Sequence, residues 1–340
     1  MVFRRPIERQ CNFFFPSVTI SDDRVRLRRH PEDAPNTALR ARCITVATAS
    51  HIAKVATMTR SLRLVNPTLP CTLVLVEREP LDPATRALLV NVDEVLLADE
   101  VFGEGLPEWA STHSAFETSC VLKPAAARFV LSREGVDAVI YLDADTDHHA
   151  PLTPLLEALE SAAIVITPHL AHLEEPFGAR SQAELDCLTY GTYNLGTFGV
   201  SDQPEAHRFL DWWDTRLREH CSSIGVPYLD QGLIDLAPGL FDQVRILRHR
   251  GCNVATWNAA NRIVSQTVEG ALRVGDEPLV FCHYAAWDSG AFHGALPPLR
   301  TCNPAFVALA DDYERRLTAQ QGRFDLSDEW SFSTPSAAER

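Results

Sequence analysis

Lysine is nearly missing from this 340-residue chain. Of 31 basic residues only Lys54 and Lys123 are lysine, and the other 29 are arginine. Beside the high alanine content, that usage reads as a GC-rich background, and it makes the two lysines conspicuous. Long apolar runs are also missing: none approaches the roughly 20 residues that a bilayer span needs. The opening Met-Val-Phe-Arg-Arg-Pro leads only to Phe13-Phe14-Phe15-Pro16, too short for a secretory core. There is no G-x-G-x-x-G after a strand and no G-x-x-x-x-G-K-[ST], so neither a Rossmann dinucleotide site nor a P-loop is expected. The nine cysteines are odd in number, widely spaced and without a C-x-x-C pair, which argues against a zinc cluster or a disulfide framework. A reducing, cytoplasmic setting is the expectation. Positive charge is short overall, with 45 acidic residues and a net charge of −14. Such a chain lacks the basic face that nucleic-acid binding requires.

The composition is otherwise that of a globular protein, 46% apolar and 22% charged. Residues 1–42 stand apart, with nine arginines against five acids, a local charge of +4 that leaves −18 on the remainder. They read as an irregular basic extension, whose Phe-bearing patch suits peripheral contact with anionic lipid. Residues 43–318 read as a single domain, and 319–340 as a polar tail.

Within that domain buried strands alternate with helices. Cys43–Thr48, Cys71–Val76, Glu94–Leu97 and Ala138–Leu142 are short apolar runs. Helical spacing follows Ser50 as far as Asn66-Pro67, follows Asp82-Pro83, and runs from Ser119 to Leu131. Near-continuous apolar strands in β-α-β order predict an α/β fold with a mostly parallel sheet covered by helices on both faces. Ligands of such sheets lie beyond the carboxyl ends of the strands. The places to search are therefore after Thr48 and after Leu142.

The second of these reads Tyr141-Leu142-Asp143-Ala144-Asp145-Thr146-Asp147-His148-His149. Two carboxylates two residues apart at a strand end suit a hard divalent cation, Mg²⁺ or Mn²⁺. A turn-forming aspartate cluster is the plainer alternative. An aspartyl-phosphate phosphohydrolase also carries D-x-D at a strand end, but earlier in its chain. His148 and His149 are adjacent, point different ways, and are weaker candidates.

Strand, D-x-D and flanks together resemble the nucleotide-sugar glycosyltransferases of the GT-A fold. Several segments fit in order: Lys123-Pro124 opening a helix, Tyr193-Asn194-Leu195-Gly196-Thr197-Phe198-Gly199-Val200, Asp230-Gln231 and Phe281-Cys282-His283-Tyr284. These resemble the glycogenin and bacterial lipopolysaccharide galactosyltransferase group. Gly251-Cys252-Asn253-Val254-Ala255-Thr256-Trp257-Asn258 is similar to the middle element of a related bacterial set with a late F-H-F-S-G motif. The chain departs after His283, where the glycogenin-like group has H-x-x-G-x-x-K-P. Here Ala286 replaces the glycine and no lysine appears, so Lys123 or an arginine such as Arg262 is left to meet the phosphates.

The resemblance implies a GT-A type, Rossmann-like domain that moves a hexose from a nucleotide diphospho-sugar, a UDP-sugar foremost, to the hydroxyl of a glycan, lipid-linked or protein acceptor, with retention. It implies Mn²⁺ or Mg²⁺ on Asp143, Asp145 and His283, with Asp143 shared with the ribose. Ala47, Thr48 and Ala144 would meet the nucleotide, and Lys123 its phosphate. Asn194, Asp230 and Gln231 would line the sugar, Gln231 nearest the anomeric carbon. Asp230 also suits the N-cap of a helix over 231–236, and Trp257 and Trp287 suit stacking. The rival readings are a sugar-1-phosphate nucleotidyltransferase and a non-catalytic nucleotide-sugar binder.

Overall fold

The computed structural model describes residues 39–171, 181–221, 229–324 and 329–333. The expected extension therefore lies almost wholly outside the described residues, as does the end of the expected tail. The chain begins β1 (Ala41–Ala47), α1 (Ile52–Val65), β2 (Cys71–Leu75), α2 (Pro83–Leu88), β3 (Glu94–Leu97), α3 (Ala98–Phe102), α4 (Leu106–Ser111), α5 (Ala115–Leu131) and β4 (Ala138–Leu142). It continues as β5 (Thr146–His148), α6 (Thr153–Leu159), β6 (Ile164–Pro168), α7 (Ser181–Tyr190), β7 (Tyr193–Ser201), α8 (Pro204–His220), α9 (Leu229–Ile234), α10 (Ala237–Leu240) and β8 (Val244–Ile246). Short strands β9 (Val264–Gln266), β10 (Leu272–Val274), β11 (Glu277–Pro278) and β12 (Phe281–His283) precede the closing helices α11 (Ala291–Cys302) and α12 (Pro304–Gln321).

The main sheet has seven strands in the order β3-β2-β1-β4-β7-β6-β8. Only β7 runs against the others, pairing antiparallel with both β4 and β6. The expected α/β architecture with a mostly parallel sheet is what the chain adopts. Its central strands read as near-continuous apolar runs because both faces are covered. Ile44 and Val46 of β1, with Val139 and Tyr141 of β4, pack in the cluster that includes Val121 and Val130 of α5 and Phe209 and Trp213 of α8. Cys43 of β1 and Ile140 and Leu142 of β4 turn to the other face, with Met58 and Leu62 of α1 and Leu155 and Leu159 of α6. Each fully buried side chain of this size contributes roughly 1.5–3 kcal/mol. Loss of either helical layer would therefore expose the sheet. A third cluster joins β12 to the closing helices through Tyr284, Phe292, Phe306 and Tyr313.

Several boundaries differ from those read in the sequence. β1 starts at Ala41 rather than 43, because the Arg42 guanidinium is held by Thr72 and Glu94 on the neighbouring strands. α5 starts at Ala115 rather than Ser119: Ser114 and Glu117 form a reciprocal cap, with Ser114 N donating to Glu117 Oε2 at 2.8 Å and Glu117 N to Ser114 Oγ at 3.2 Å. Lys123 is consequently in the middle of a helix, not at its opening. Asp82 does cap α2 as expected, accepting from Ala84 N and Thr85 N at 2.9 and 3.1 Å. The start of the expected polar tail belongs to the fold. α12 carries the domain past residue 318 to Gln321, and Gln320 is buried. Trp330 Nε1 then donates to Val76 O at 2.9 Å beyond the end of β2. Among the described residues no helix is long and apolar enough to cross a membrane.

Candidate active site

The acids do not extend β4; they occupy the tight turn from β4 into β5. Asp143 N donates to Gly196 O of β7 at 2.8 Å, and Thr146 N returns to Asp143 O at 3.2 Å. β5 then pairs antiparallel with β12, which sets Thr146 opposite His283. Tyr284 N closes the join by donating to Asp145 O at 2.9 Å. Residues some 140 positions apart in sequence thus meet through a two-strand ladder. Asp143, Asp145 and His283 each present a ligand atom, and these atoms lie within 4.8 Å of one another. His283 Nε2 is 3.1 Å from Asp145 Oδ1 and 3.8 Å from Asp143 Oδ2.

The orientation of that imidazole follows from its other nitrogen. His283 Nδ1 faces Asn194 Oδ1 at 3.2 Å and Asn253 Oδ1 at 3.1 Å. Asn194 Oδ1 is identified as oxygen by the donors that reach it, Gly196 N at 3.1 Å and Asn253 Nδ2 at 2.9 Å. Nδ1 therefore carries a proton, and Nε2 is the nitrogen that faces the two carboxylates. Lone pair against carboxylate is repulsive unless a proton or a cation lies between. Asp145 Oδ1 is moreover buried, with that imidazole nitrogen as its polar neighbour. A divalent cation satisfies both conditions, so this donor set fits one. Without a cation the two carboxylates favour the charged imidazole. Burial pushes the His283 pKa down, but the Asp145 carboxylate outweighs it and leaves the group above its ordinary value. For Asp145, burial pushes the carboxyl up, and His283 and then Lys54 bring it below its usual range.

Glycine is required in the middle of this arrangement. A Cβ on Gly196 would lie 2.2 Å from His283 Cε1 and 2.7 Å from Nδ1. The glycine of Tyr193–Val200 thus makes room for the imidazole. The Asn253 backbone lies in the left-handed region at φ 59°, which asparagine tolerates better than most residues. Asn258 holds that turn by donating to Asn253 O at 3.0 Å, and donates to His169 O at 3.1 Å. Burial lowers His169 to about 4, so its ring is neutral, with Nε2 3.2 Å from Asn194 Nδ2.

Lys123 lies on the far side of Asp143. Its ammonium is 3.8 Å from Asp143 Oδ1 and 3.3 Å from both Asp230 Oδ2 and Leu195 O, over the Tyr141 ring. Burial depresses its pKa, but Asp143 and Asp230 outweigh that and raise it. The Tyr141 hydroxyl donates to Asp143 Oδ1 at 2.5 Å. Asp230 falls inside the first turn of α9, not at an N-cap, and is buried beside the ammonium. Gln231 Oε1 accepts from Asn194 Nδ2 at 3.1 Å and Leu195 N at 3.2 Å, and its Nε2 donates to Tyr190 O at 3.0 Å.

At the end of β1, Ala47 packs in one cluster with Ala144, and Thr48 bonds Ser50 Oγ and His51 Nδ1 at 2.9 Å each. The structure therefore gathers the carboxylates, His283, Lys123, Asp230, Gln231 and Asn194 into one connected set, with Ala47 beside it. Arg262 does not join them. It is buried, donates to Cys252 O at 2.6 Å, and braces the turn that carries Asn253; burial lowers its pKa to about 10. His148 and His149 also stay apart: His148 bonds the Thr146 hydroxyl at 3.2 Å, and His149 Nε2 lies 3.4 Å from Asp147. Trp257 stands edge-on to His283, 5.5 Å between ring centres, whereas Trp287 packs on Phe292 and Tyr313. Ala286 adopts φ 61°, so the loop after His283 keeps a left-handed turn without a glycine to relax it.

Sequence reasoning missed Asn253 as the partner of His283, and the contact of Lys54 with Asp288. The rarity of lysine was the available signal for the second.

No family model matches the chain. It is similar to the uncharacterized protein YfnD of Bacillus subtilis (strain 168), 24% identical over 184 residues, covering 52% of this chain and 56% of that protein. The chain thus matches about half the length of that curated relative. Among solved structures it is similar to the galactosyltransferase LgtC in complex with donor and acceptor sugar analogs, at 15% identity and TM-score 0.48, over 84% of this chain and 97% of that one. It is also similar to the glycosyltransferase GlyE of Streptococcus pneumoniae TIGR4, at 16% identity and TM-score 0.45, over 86% and 66%. A third is apo mouse xyloside xylosyltransferase 1, at 14% identity and TM-score 0.42, over 72% and 98%.

Proposed function

We propose that this protein is a metal-dependent glycosyltransferase that moves a hexose from a nucleotide diphospho-sugar to an acceptor hydroxyl. The observation that carries the reading is the meeting of Asp143, Asp145 and His283 within 4.8 Å beyond the carboxyl ends of parallel strands. A diphosphate approaching bare carboxylates would be repelled. Mn²⁺ or Mg²⁺ held by these three groups would reverse the local charge and stabilise the leaving diphosphate. Asn194 and Asn253 keep the imidazole in the binding tautomer. Lys123 restrains Asp143 and Asp230. Ala47, Thr48 and Ala144 offer a close backbone surface to a base and ribose, UDP being the first choice. Gln231, anchored at both ends of its amide, lines the sugar with Asn194 and Asp230, and a retaining outcome fits that placement. The acceptor is a glycan, a lipid-linked sugar or a protein hydroxyl. The eight cysteines among the described residues are all unbridged, which supports a cytoplasmic setting.

A thermal-shift panel of nucleotide sugars with and without Mn²⁺ tests this. One donor should raise the melting temperature only when metal is present, following RT ln(1 + [L]/Kd). No shift with any donor plus metal would contradict the reading.

A further inference from the structure

Resting on that reading, we propose that Lys54 and His51 form the subsite for the donor diphosphate, and that Asp288 is a built-in anion which the diphosphate displaces. Lys54 lies in the first turn of α1, just past the end of β1. Its side chain is 7% exposed, and its ammonium bonds Asp288 Oδ2. His51 Nε2 reaches the same oxygen at 3.2 Å. A buried ammonium needs an anionic partner, and removing that partner without replacement is costly. Here the partner is itself at the surface: the Asp288 side chain is 62% exposed. It can leave for water at little cost if another anion takes its place.

The location fits such an exchange. His51 Nδ1 bonds Thr48 Oγ1, so the pair sits at the strand end where ligands of parallel sheets lie. Ile52 and Val55 of the same helix pack in one cluster with Ala47 and with Ala144 of the β4–β5 turn, which brings the start of α1 to the carboxylates that would hold the cation. Asp288 comes from the loop after β12, between two left-handed residues, Ala286 at φ 61° and Gly290 at φ 74°. The other lysine is not available for this role. Lys123 is enclosed by Asp143, Asp230 and the Leu195 carbonyl, and those two acids are themselves mostly buried. A cation on one side and an ammonium with an imidazole on the other would then clamp the diphosphate.

The test is calorimetry of the five common nucleoside diphosphates in Mn²⁺, using the whole chain and taking whichever binds tightest. Lys54→Met should weaken that binding at least about tenfold, the scale of a lost charge-assisted hydrogen bond. Asp288→Asn should tighten it severalfold, because the competing anion is gone. Melting curves check that both variants fold. If Lys54→Met is unfolded, Asp288→Asn decides alone: tighter binding supports the subsite, and unchanged or weaker binding overturns it. Unchanged binding by folded Lys54→Met overturns the subsite and leaves the glycosyltransferase reading standing. No diphosphate binding by the wild-type protein removes both.

Discussion

The two lysines of this chain are both buried, yet they sit in opposite electrostatic settings. Lys123 is in mid-helix, locked by two carboxylates and a carbonyl behind the β4–β5 turn. Lys54 is at a helix start, paired to a carboxylate that faces water. The first arrangement cannot exchange partners without leaving charges buried, which suits holding the site together. The second can exchange at small cost, as the proposed diphosphate subsite requires. Burial alone does not separate the two ammonium groups; the exposure of their partners does.

The largest effect is expected at Lys123. Lys123→Met leaves Asp143 and Asp230 without their shared counter-ion, and denaturant unfolding should show a loss of about 3–5 kcal/mol, the range for a broken buried ion pair. A loss within 1 kcal/mol would mean that the pocket is wetter than its geometry implies. Next in size is Asp145→Asn, which removes charge from the cation site while keeping shape. Turnover should fall by at least about 100-fold, and near-normal activity would detach Asp145 from the chemistry. Asn253→Ala removes one of the two oxygens that fix the His283 tautomer. Metal affinity should drop by about tenfold or more, read by Mn²⁺ titration of the folded variant. The smallest effect sharpens the contrast: Lys54→Met should cost under about 1 kcal/mol of stability, because its partner is solvated. A cost matching that of Lys123→Met would erase the distinction.

Much of the fold was legible because a sheet covered on both faces needs apolar runs, and β1, β2, β3 and β4 are short and unbroken. The start of α5 was also written in the chain, as Ser114 and Glu117 at capping-box spacing, but the apolar periodicity from Ser119 obscured it. Asp143, Asp145, His283, Asn194, Asp230 and Gln231 were singled out through motif order, and the structure brings their side chains together. What the sequence hid were pairings across great separations. Lys54 meets Asp288 across 234 positions, and Asn253 meets Asn194 across 59. No local pattern encodes such contacts; they depend on how β12 returns to β5. Arg262 misled for a related reason. A guanidinium read from sequence is a free charge, but this one is spent on backbone carbonyls.

The proposed function requires a divalent cation on Asp143, Asp145 and His283, and diphosphate binding that depends on it. Its most direct test is an electron paramagnetic resonance titration of Mn²⁺, with a saturating nucleoside diphosphate, into wild-type protein and His283→Ala. The wild-type chain should bind Mn²⁺ tightly, and His283→Ala should lose at least about tenfold in affinity, since even outer partners of a metal site cost that much. Equal Mn²⁺ affinity in the two proteins would contradict the account.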